Sequence, residues 1–307
     1  MIEINLPILS QCYVRRMEWY PAVKNPLSPT QRIRGIAEIL DQFELIMLDS
    51  YGVLCRGTTP IDGAIEVMAE IRRMGKAFCV VSNDTMTNQA VAADRYAARG
   101  FDFSSNEVVT SLDITESWLK TLDGKESWAY VAPTVHPSDE LLAGMTNLNG
   151  LNGVVPAGID SILFLAGSTW NAEMQANLVE SARGRQFNLA VGNPDMGAPN
   201  VVDGRIHIYA TPGYFADNLV METGQQAKPQ LFGKPGGTIF NYVAERHGIT
   251  DPSKVLMVGD TLYTDILGGN AMGFKTLLLE CGVYRGTDVD AVIAEAGIIP
   301  DFIAPHL

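Results

Sequence analysis

The sequence predicts an α/β fold in which a doubly wound, Rossmann-like parallel sheet carries a second, inserted α/β domain. Two observations predict this fold. Short apolar runs typical of buried strands alternate with amphipathic helical stretches along most of the chain, which is the pattern of parallel sheets with helical crossovers. Polar residues, above all aspartates, follow directly after several of the apolar runs. Open α/β sheets place their functional groups at these strand ends.

Length and composition narrow the class of protein. The 307 residues suffice for one large or two ordinary domains, and a hydrophobic share of 47% with 19% charged residues indicates a globular protein. The formal net charge of −13 argues against nucleic acid as a partner, because there is no excess of Lys and Arg to neutralise its phosphates. An anionic substrate therefore has to be met by local positive groups or by a metal ion.

Cysteine usage and hydropathy favour a cytoplasmic protein without a membrane partner. Cys12, Cys55, Cys79 and Cys281 have no paired spacing, so we expect them to be reduced. No apolar run approaches the roughly 20 residues that a membrane-spanning helix needs. The N-terminus also lacks the pattern of a signal peptide.

The first part of the chain predicts an irregular arm followed by a helix. Pro7, Pro21 and Pro26 interrupt residues 1–27, so we expect no long element there. Ser28 is a suitable N-cap for a helix that leads into the apolar strand before Asp49. The helix is predicted by apolar residues at helical spacing, namely Ile33, Ile36, Ala37, Leu40 and Phe43.

The remaining pattern alternates strands and helices and divides the chain into domains. We expect an arm at 1–27, a core at 28–125 and 216–307, and an inserted domain at 126–215. Predicted helices lie within 63–76, at about 88–99, within 107–120, within 171–184 and near 236–247. Predicted strands lie at 45–48, 77–83, 107–110, 128–132, 161–166, 188–193, 255–260, 275–280 and 300–304.

Two aspartates at strand ends suggest phosphate chemistry that depends on a metal. A carboxylate can attack phosphorus only when the negative charge of the phosphoryl group is neutralised. Mg²⁺ prefers hard oxygen ligands, and Asp49 and Asp260 each follow an apolar run. Ser82 follows another such run and can bind phosphate at a helix start, although a serine at that place is more often a helix cap.

Four segments in order resemble the four motifs of the haloacid dehalogenase superfamily, whose members are mostly Mg²⁺-dependent phosphatases that work through an aspartyl-phosphate. They are LIMLDSYGVL at 45–54, VVSND around Ser82, FGKP around Lys234 and VLMVGDTLYTD around Asp260 and Asp265. The segments VVTSLDIT and VGNPDMGAP are similar to those of the class IIA, or NagD-like, branch. The resemblance covers residues 43 to 307.

The resemblance implies a role for each motif residue. Asp49 would be the nucleophile, with Lys234 and Asp265 as its catalytic partners. Mg²⁺ would be the cofactor, held by Asp49, Asp260 and the backbone carbonyl of Tyr51, and phosphate would be bound by Ser82, Asn83 and Lys234. The expected partner is a small phosphorylated metabolite such as a sugar phosphate, and a homodimer through the inserted domain stays open.

Tyr51 departs from the family pattern. Phosphatases of the superfamily carry a second Asp two positions after the nucleophile, and this Asp acts as general acid and base. A phenol with a pKa near ~10 is a poor base at neutral pH, so we interpret Tyr51 as a space-filling residue. Turnover would then be slow, limited to good leaving groups or assisted by the inserted domain. The alternative is a regulatory protein that binds a phosphorylated ligand without hydrolysing it.

A dehalogenase is the third hypothesis, because those enzymes carry an aromatic residue two positions after their Asp. Two features argue against it. The segment between Asp49 and Ser82 is too short for the helical insertion of the dehalogenases, and the family's dehalogenases lack the metal-binding Asp that is present here as Asp260. Within the inserted domain, Asn193, Asp195 and Arg205 are candidates for substrate contacts, although loop residues are more often only solvated.

Overall fold

The structure, a computed structural model, describes residues 2–202 and 205–307, without the side chains of residues 201, 202, 205 and 206. Its strands are β1 Glu3–Ile4, β2 Gln31–Arg32, β3 Leu45–Leu48, β4 Cys55–Arg56, β5 Thr59–Pro60, β6 Ala77–Ser82, β7 Val108–Thr110, β8 Trp128–Val131, β9 Thr146–Asn147, β10 Ser161–Phe164, β11 Asn188–Val191, β12 Gly197–Val202, β13 Arg205–Ala210, β14 Gln230–Leu231, β15 Val255–Gly259, β16 Lys275–Leu279 and β17 Phe302–Ala304.

Helices connect most of these strands. They are α1 Leu6–Arg15, α2 Ala64–Arg73, α3 Gln89–Ala97, α4 Ser111–Leu119, α5 Asp139–Leu142, α6 Ala172–Ala182, α7 Pro212–Thr223, α8 Gly237–Arg246, α9 Leu267–Met272 and α10 Val289–Ala296. A π-helical turn at Leu262–Ile266 leads directly into α9.

The chain forms two compact units. One, here called the inserted unit, comprises residues 1–20, 83–88 and 110–233; the other, the core unit, comprises residues 21–82, 89–109 and 234–307. These boundaries differ from the expected 126–215 for the inserted domain. The N-terminal 20 residues, the 83–88 segment and helix α7 all belong to the inserted unit.

The core unit is built on a seven-stranded sheet in the order β2-β17-β16-β15-β3-β6-β7. The neighbours of β3 are both parallel to it, with Leu48 opposite Val258 of β15 and Val80 of β6. Strands β3 and β15 are buried along their whole length, which explains why they are continuous apolar runs rather than alternating patterns. The strand predictions at 45–48, 77–83 and 255–260 are therefore confirmed.

The described residues of the inserted unit form two sheets. One is a five-stranded sheet in the order β14-β11-β10-β8-β9, with parallel pairs throughout. The other is antiparallel, in the order β1-β13-β12, and was not predicted from the sequence.

The N-terminal arm contains helix α1 and packs within the inserted unit, so the expectation of an irregular segment was wrong. The Asn5 side chain caps α1 by accepting from the backbone N–H of Ile8, and Pro7 lies in the first turn, where a missing N–H costs nothing. At the other end of α1, the guanidinium groups of Arg15 and Arg16 both pair with the fully buried carboxylate of Asp217 on α7.

The helix predicted from Ser28 onward is wrong. The structure has strand β2 and two short 3₁₀ turns at Ile36–Glu38 and Leu40–Gln42 instead. Strand β2 pairs with β17, and an extended Gly35 separates it from the turns. Three of the apolar residues at helical spacing, Ile36, Leu40 and Phe43, are nevertheless buried in the core, whereas Ala37 is exposed.

The α/β fold with a parallel, Rossmann-like core is confirmed. Among the described residues, no helix combines the length and the apolar character that crossing a membrane requires.

Candidate active site

Three candidate residues of the core unit lie at the carboxyl ends of neighbouring strands. Asp49 follows β3, Ser82 ends β6 and Asp260 follows β15. The ladder extends one residue past β3, because the Asp49 backbone N–H donates to the Val258 carbonyl at 2.9 Å. The sheet register therefore brings the two carboxylates to one edge, as the sequence pattern predicts for parallel strands.

Lys234 places an ammonium group between two carboxylates. Its Nζ lies 2.5 Å from Oδ1 of Asp49 and 2.7 Å from Oδ1 of Asp265, and the lysine is buried. Burial alone would lower the pKa of Lys234, but the charges of Asp265 and Asp49 together raise it. The lysine therefore stays charged at neutral pH and fixes the position of the Asp49 carboxylate.

Asp260 is a buried carboxylate held by neighbouring donors. Its Oδ2 accepts from the Val283 backbone N–H at 2.9 Å and its Oδ1 from the Thr261 hydroxyl at 3.0 Å. Burial raises the pKa of Asp260 well above its ordinary value, and the charges of Asp49 and Asp265 raise it further. The ionised form of Asp260 is therefore destabilised by burial and by the two neighbouring carboxylates.

Two glycines make room for the carboxylates. A Cβ on Gly52 would lie 1.8 Å from Oδ2 of Asp260, and the φ of Gly52 is +76°, in the left-handed region that favours glycine. A Cβ on Gly259 would lie 2.2 Å from Cβ of Asp265. Glycine is therefore required at both positions, because the backbone of Gly52 lies against the Asp260 side chain and that of Gly259 against the Asp265 side chain.

The cluster fits a hard divalent cation. One carboxylate oxygen from each of Asp49, Asp260 and Asp265 lies within 4.8 Å of the other two. Three carboxylates face the single ammonium of Lys234, which leaves excess negative charge within the cluster as the structure describes it. Oxygen donors of this kind are the ligands that Mg²⁺ prefers.

Tyr51 and Ser50 shape the loop after the nucleophile candidate. Tyr51 is partly buried, and burial raises the pKa of its phenol, with a further contribution from the charge of Asp260. Ser50 accepts a hydrogen bond of 2.5 Å from the buried Tyr96 phenol on α3. The loop is thus fixed on both sides of the Asp49 backbone, by β15 and by α3.

The chain is similar to known proteins in sequence and in fold. Residues 46–141 match the profile of a family described as haloacid dehalogenase-like hydrolase, and residues 231–307 match a second, HAD-hydrolase-like profile. A solved structure, a possible sugar phosphatase of the HAD superfamily from Cytophaga hutchinsonii, superposes with a TM-score of 0.75 at 24% identity, over 90% of this chain and 98% of that one. The chain has the haloacid dehalogenase-like fold.

The chain is also similar to two curated proteins. It is 26% identical to the chloroplastic phosphoglycolate phosphatase 1A of Arabidopsis thaliana, over 89% of this chain and 78% of the relative. It is 28% identical to the glycerol-3-phosphate phosphatase of Gallus gallus, over 86% of this chain and 89% of the relative.

The other sequence candidates lie in the inserted unit. Asn83 follows Ser82 directly; its side-chain amide donates to the Asp195 carboxylate at 2.8 Å and accepts from the Ser111 hydroxyl. Asn193 accepts from the Asp195 backbone N–H at 2.9 Å. The side chain of Arg205 lies outside the described residues, so its suggested substrate contact stays a prediction.

The sequence analysis missed the segment that holds Asp260. Val283 supplies a backbone donor, and Gly282 leaves the necessary space, because a Cβ there would lie 2.1 Å from Oδ2 of Asp260. A glycine three residues after the apolar run KTLLL was a usable signal, since glycine at a strand end often marks a close backbone approach. The Tyr96 contact had no sequence signal.

Proposed function

We propose that the chain is a Mg²⁺-dependent phosphatase that hydrolyses a small phosphomonoester, such as a sugar phosphate, through an aspartyl-phosphate at Asp49. The observation that carries the proposal is the buried Lys234 ammonium between the carboxylates of Asp49 and Asp265, at 2.5 and 2.7 Å. Two curated relatives that are phosphatases support the reaction class. The NagD-like segments around 108–115 and 191–199 favour the class IIA branch.

In the proposed first step, Asp49 attacks phosphorus. Lys234 holds Oδ1 of the carboxylate and leaves the other oxygen to form the new P–O bond. The P–O bond to the alcohol breaks, and the departing oxygen takes up a proton from water. The Lys234 ammonium and the Ser82 hydroxyl are suited to bind the non-bridging phosphoryl oxygens, and Asp265 orients Lys234.

In the second step, water hydrolyses the acyl phosphate. The bond between phosphorus and the Asp49 oxygen breaks, which releases inorganic phosphate and restores the carboxylate. Asp49, Asp260 and the backbone carbonyl of Tyr51 would hold Mg²⁺. When bound, the ion would neutralise phosphoryl charge so that an anionic nucleophile can approach.

Tyr51 favours a second candidate function, a protein that binds a phosphorylated ligand but does not turn it over. The raised pKa of the Tyr51 phenol makes it a weak acid and leaves almost no base form at neutral pH. General acid–base help is typically worth ~10²–10⁴ in rate. The first step would therefore be slow for esters with poor leaving groups and fastest for activated aryl phosphates. The second step, which is the same for every ester, would be slow with all of them.

A dehalogenase is less well supported by the fold. Between Asp49 and Ser82 the chain forms only the β4–β5 hairpin, helix α2 and strand β6. The metal-binding candidate Asp260 is present and buried. Metal-independent release of halide from a haloacid would nevertheless identify that activity.

The test is phosphate release from p-nitrophenyl phosphate and a panel of sugar phosphates, with Mg²⁺ and with EDTA. The native chain is compared with Asp49→Asn, which keeps the size of the side chain. Mg²⁺-dependent release that disappears in the variant supports the phosphatase. Binding of a phosphorylated ligand without release supports the regulatory protein. Phosphate release that persists in Asp49→Asn contradicts the proposed roles of Asp49 as nucleophile and as metal ligand.

A further inference from the structure

The core unit carries an arginine near the aspartate cluster whose charge no carboxylate balances. Arg56 lies on strand β4, and its side chain is partly buried. The guanidinium donates to the backbone carbonyl of Cys281 at 2.7 Å and lies beside the Cys281 thiol. In the part of the chain that the structure describes, no carboxylate forms an ion pair with Arg56. Most of its N–H groups are therefore available to bind an anion.

Arg56 is close to the carboxylates that would hold the metal ion. Its hydrogen-bond partner Cys281 directly precedes Gly282, where a Cβ would lie 2.1 Å from Oδ2 of Asp260. One peptide unit and two short contacts thus separate the guanidinium from Asp260, a distance of roughly 10 Å at most. A small phosphomonoester whose phosphoryl group is bound at the aspartate cluster can therefore reach Arg56 with a substituent on its alcohol part.

Tyr51 supplies a second donor near Arg56. An isolated β-bridge pairs Tyr51 with Cys55, the residue before Arg56, and the Gly52 N–H donates to the Cys55 carbonyl at 2.9 Å. Burial and the charge of Asp260 raise the pKa of the Tyr51 phenol, and the charge of Arg56 lowers it. The phenol is thus within electrostatic reach of both groups. Its hydroxyl has no hydrogen-bond partner among the described residues, so it can donate to a ligand at neutral pH.

The side chain at position 51 decides which ligand group can approach Arg56. A carboxylate there would pair with the guanidinium or repel an anionic group of the ligand. The Tyr51 phenol is neutral and donates a hydrogen bond instead. The residue that departs from the superfamily pattern therefore makes this side of the loop suitable for an anion.

A carboxylate suits these two donors better than a second phosphate does. The planar guanidinium matches the two oxygens of a carboxylate, which it can bind with two parallel hydrogen bonds. A carboxylate carries one negative charge, which one guanidinium balances, whereas a phosphate group carries about 1.5–2. The surplus charge of a phosphate would face the neighbouring carboxylates of Asp49, Asp260 and Asp265.

We propose that Arg56 and Tyr51 bind a carboxylate on the alcohol part of the substrate, so that the preferred phosphomonoester is a phosphorylated hydroxy acid. The inference rests on the proposed function, because it needs a phosphoryl group bound at the aspartate cluster. It narrows that function, since an ordinary sugar phosphate has no carboxylate. In a protein that binds its ligand without hydrolysis, the same two residues would bind the same group.

The first test measures binding of two phosphonates, whose P–C bond the proposed reaction does not break. In 3-phosphonopropionate a carboxylate occupies the place of the terminal methyl group of propylphosphonate. With Mg²⁺ present, isothermal titration calorimetry should show that the native chain binds 3-phosphonopropionate about ten- to hundredfold more tightly, the effect of charge-assisted hydrogen bonds. Arg56→Met should bring this affinity ratio close to one, and Tyr51→Phe should lower it about three- to tenfold.

The affinity ratio separates a carboxylate site from a structural role, because a displaced loop would weaken the binding of both phosphonates together. Arg56→Lys keeps the charge and should retain part of the ratio. The matched control is Arg73→Met, since the Arg73 side chain is exposed on α2 in the same unit. Equal binding of the two phosphonates by the native chain, or a ratio that neither Arg56→Met nor Tyr51→Phe changes, would overturn the proposal.

The second test measures hydrolysis of 2-phosphoglycolate and ethyl phosphate, two esters that differ in the carboxylate. Arg56→Met should lower the ratio of their kcat/KM values about ten- to hundredfold, and an unchanged ratio contradicts the assignment. Failure of the phosphatase proposal gives a different result, because neither ester is then hydrolysed while the phosphonates still test the carboxylate site. If neither phosphonate binds, the phosphate site is contradicted, and the carboxylate site with it.

Discussion

Replacing Lys234 by Met removes the positive charge from the centre of the aspartate cluster while keeping a long, unbranched side chain. In the native chain the ammonium is buried and pairs with Asp49 and Asp265 at 2.5 and 2.7 Å. Removal of one partner of a buried ion pair typically costs about 3–5 kcal/mol, because the remaining charge is left uncompensated. We therefore expect Lys234→Met to lower the free energy of unfolding by about 3–5 kcal/mol.

The assay is urea unfolding in EDTA at pH 7.5, so that no metal replaces the missing charge. The control is the double variant Lys234→Met/Asp265→Asn, which removes one of the stranded charges. The double variant should lose about 0.5–3 kcal/mol less than the sum of the two single losses, the usual range for groups in contact. Under the proposed function, Mg²⁺ binds the folded chain at this cluster, so added Mg²⁺ should stabilise Lys234→Met.

Activity gives a second measure of the same substitution. Loss of a fixed electrostatic partner of the reacting group should lower kcat for p-nitrophenyl phosphate about 10²–10³-fold. If Lys234→Met unfolds in EDTA at the same urea concentration as the native chain, the ammonium does not compensate the carboxylates, and the reasoning is refuted.

Three further outcomes are expected. Tyr51→Asp should raise kcat for sugar phosphates by ~10²–10⁴, because the new carboxylate can act as a general acid and base. Steady-state kinetics test this, with Tyr51→Asn as the control. Equal rates in the two variants would contradict the prediction. Asp217→Asn should lower the free energy of unfolding by about 2–4 kcal/mol, less than for a fully buried pair because one of its two arginine partners is partly exposed; an unchanged urea midpoint would show that this ion pair does not hold the arm. Burial lowers the pKa of His136, whose ring nitrogen accepts from the Ser138 backbone N–H. The unfolded chain therefore binds a proton below pH ~6.5 before the folded chain does, and stability falls with decreasing pH by up to about 1.4 kcal/mol per pH unit. Urea unfolding between pH 7.5 and 5 checks this, with His136→Asn as the variant in which this contribution is absent.

The core sheet was predictable from the sequence because its buried strands and the polar residues that follow them are adjacent in the chain. Strands such as β3 and β15 are uninterrupted apolar runs that end in an aspartate, and burial on both faces requires that pattern. The N-terminal arm was not predictable, because its three prolines suggested an irregular segment. Pro7 instead lies where a helix tolerates proline, and the stability of α1 comes from contacts with Asp217, about 200 residues away in sequence.

Some residues of the candidate site were likewise predictable from the sequence, and others were not. Asp49, Asp260 and Lys234 belong to local motifs, so sequence alone indicated them, whereas the Tyr96 contact to Ser50 depends on the packing of α3.

The central claim is that Asp49 becomes covalently phosphorylated. The most direct measurement mixes the chain with Mg²⁺ and p-nitrophenyl phosphate, quenches the mixture in acid after a few milliseconds to seconds, and locates the phosphoryl group by peptide mass spectrometry. The account predicts a hydroxylamine-sensitive phosphoryl group on Asp49, absent from Asp49→Asn, that persists longer in the native chain than in Tyr51→Asp. Release of p-nitrophenol at the native rate from Asp49→Asn, or a phosphoryl group on another residue, would contradict it.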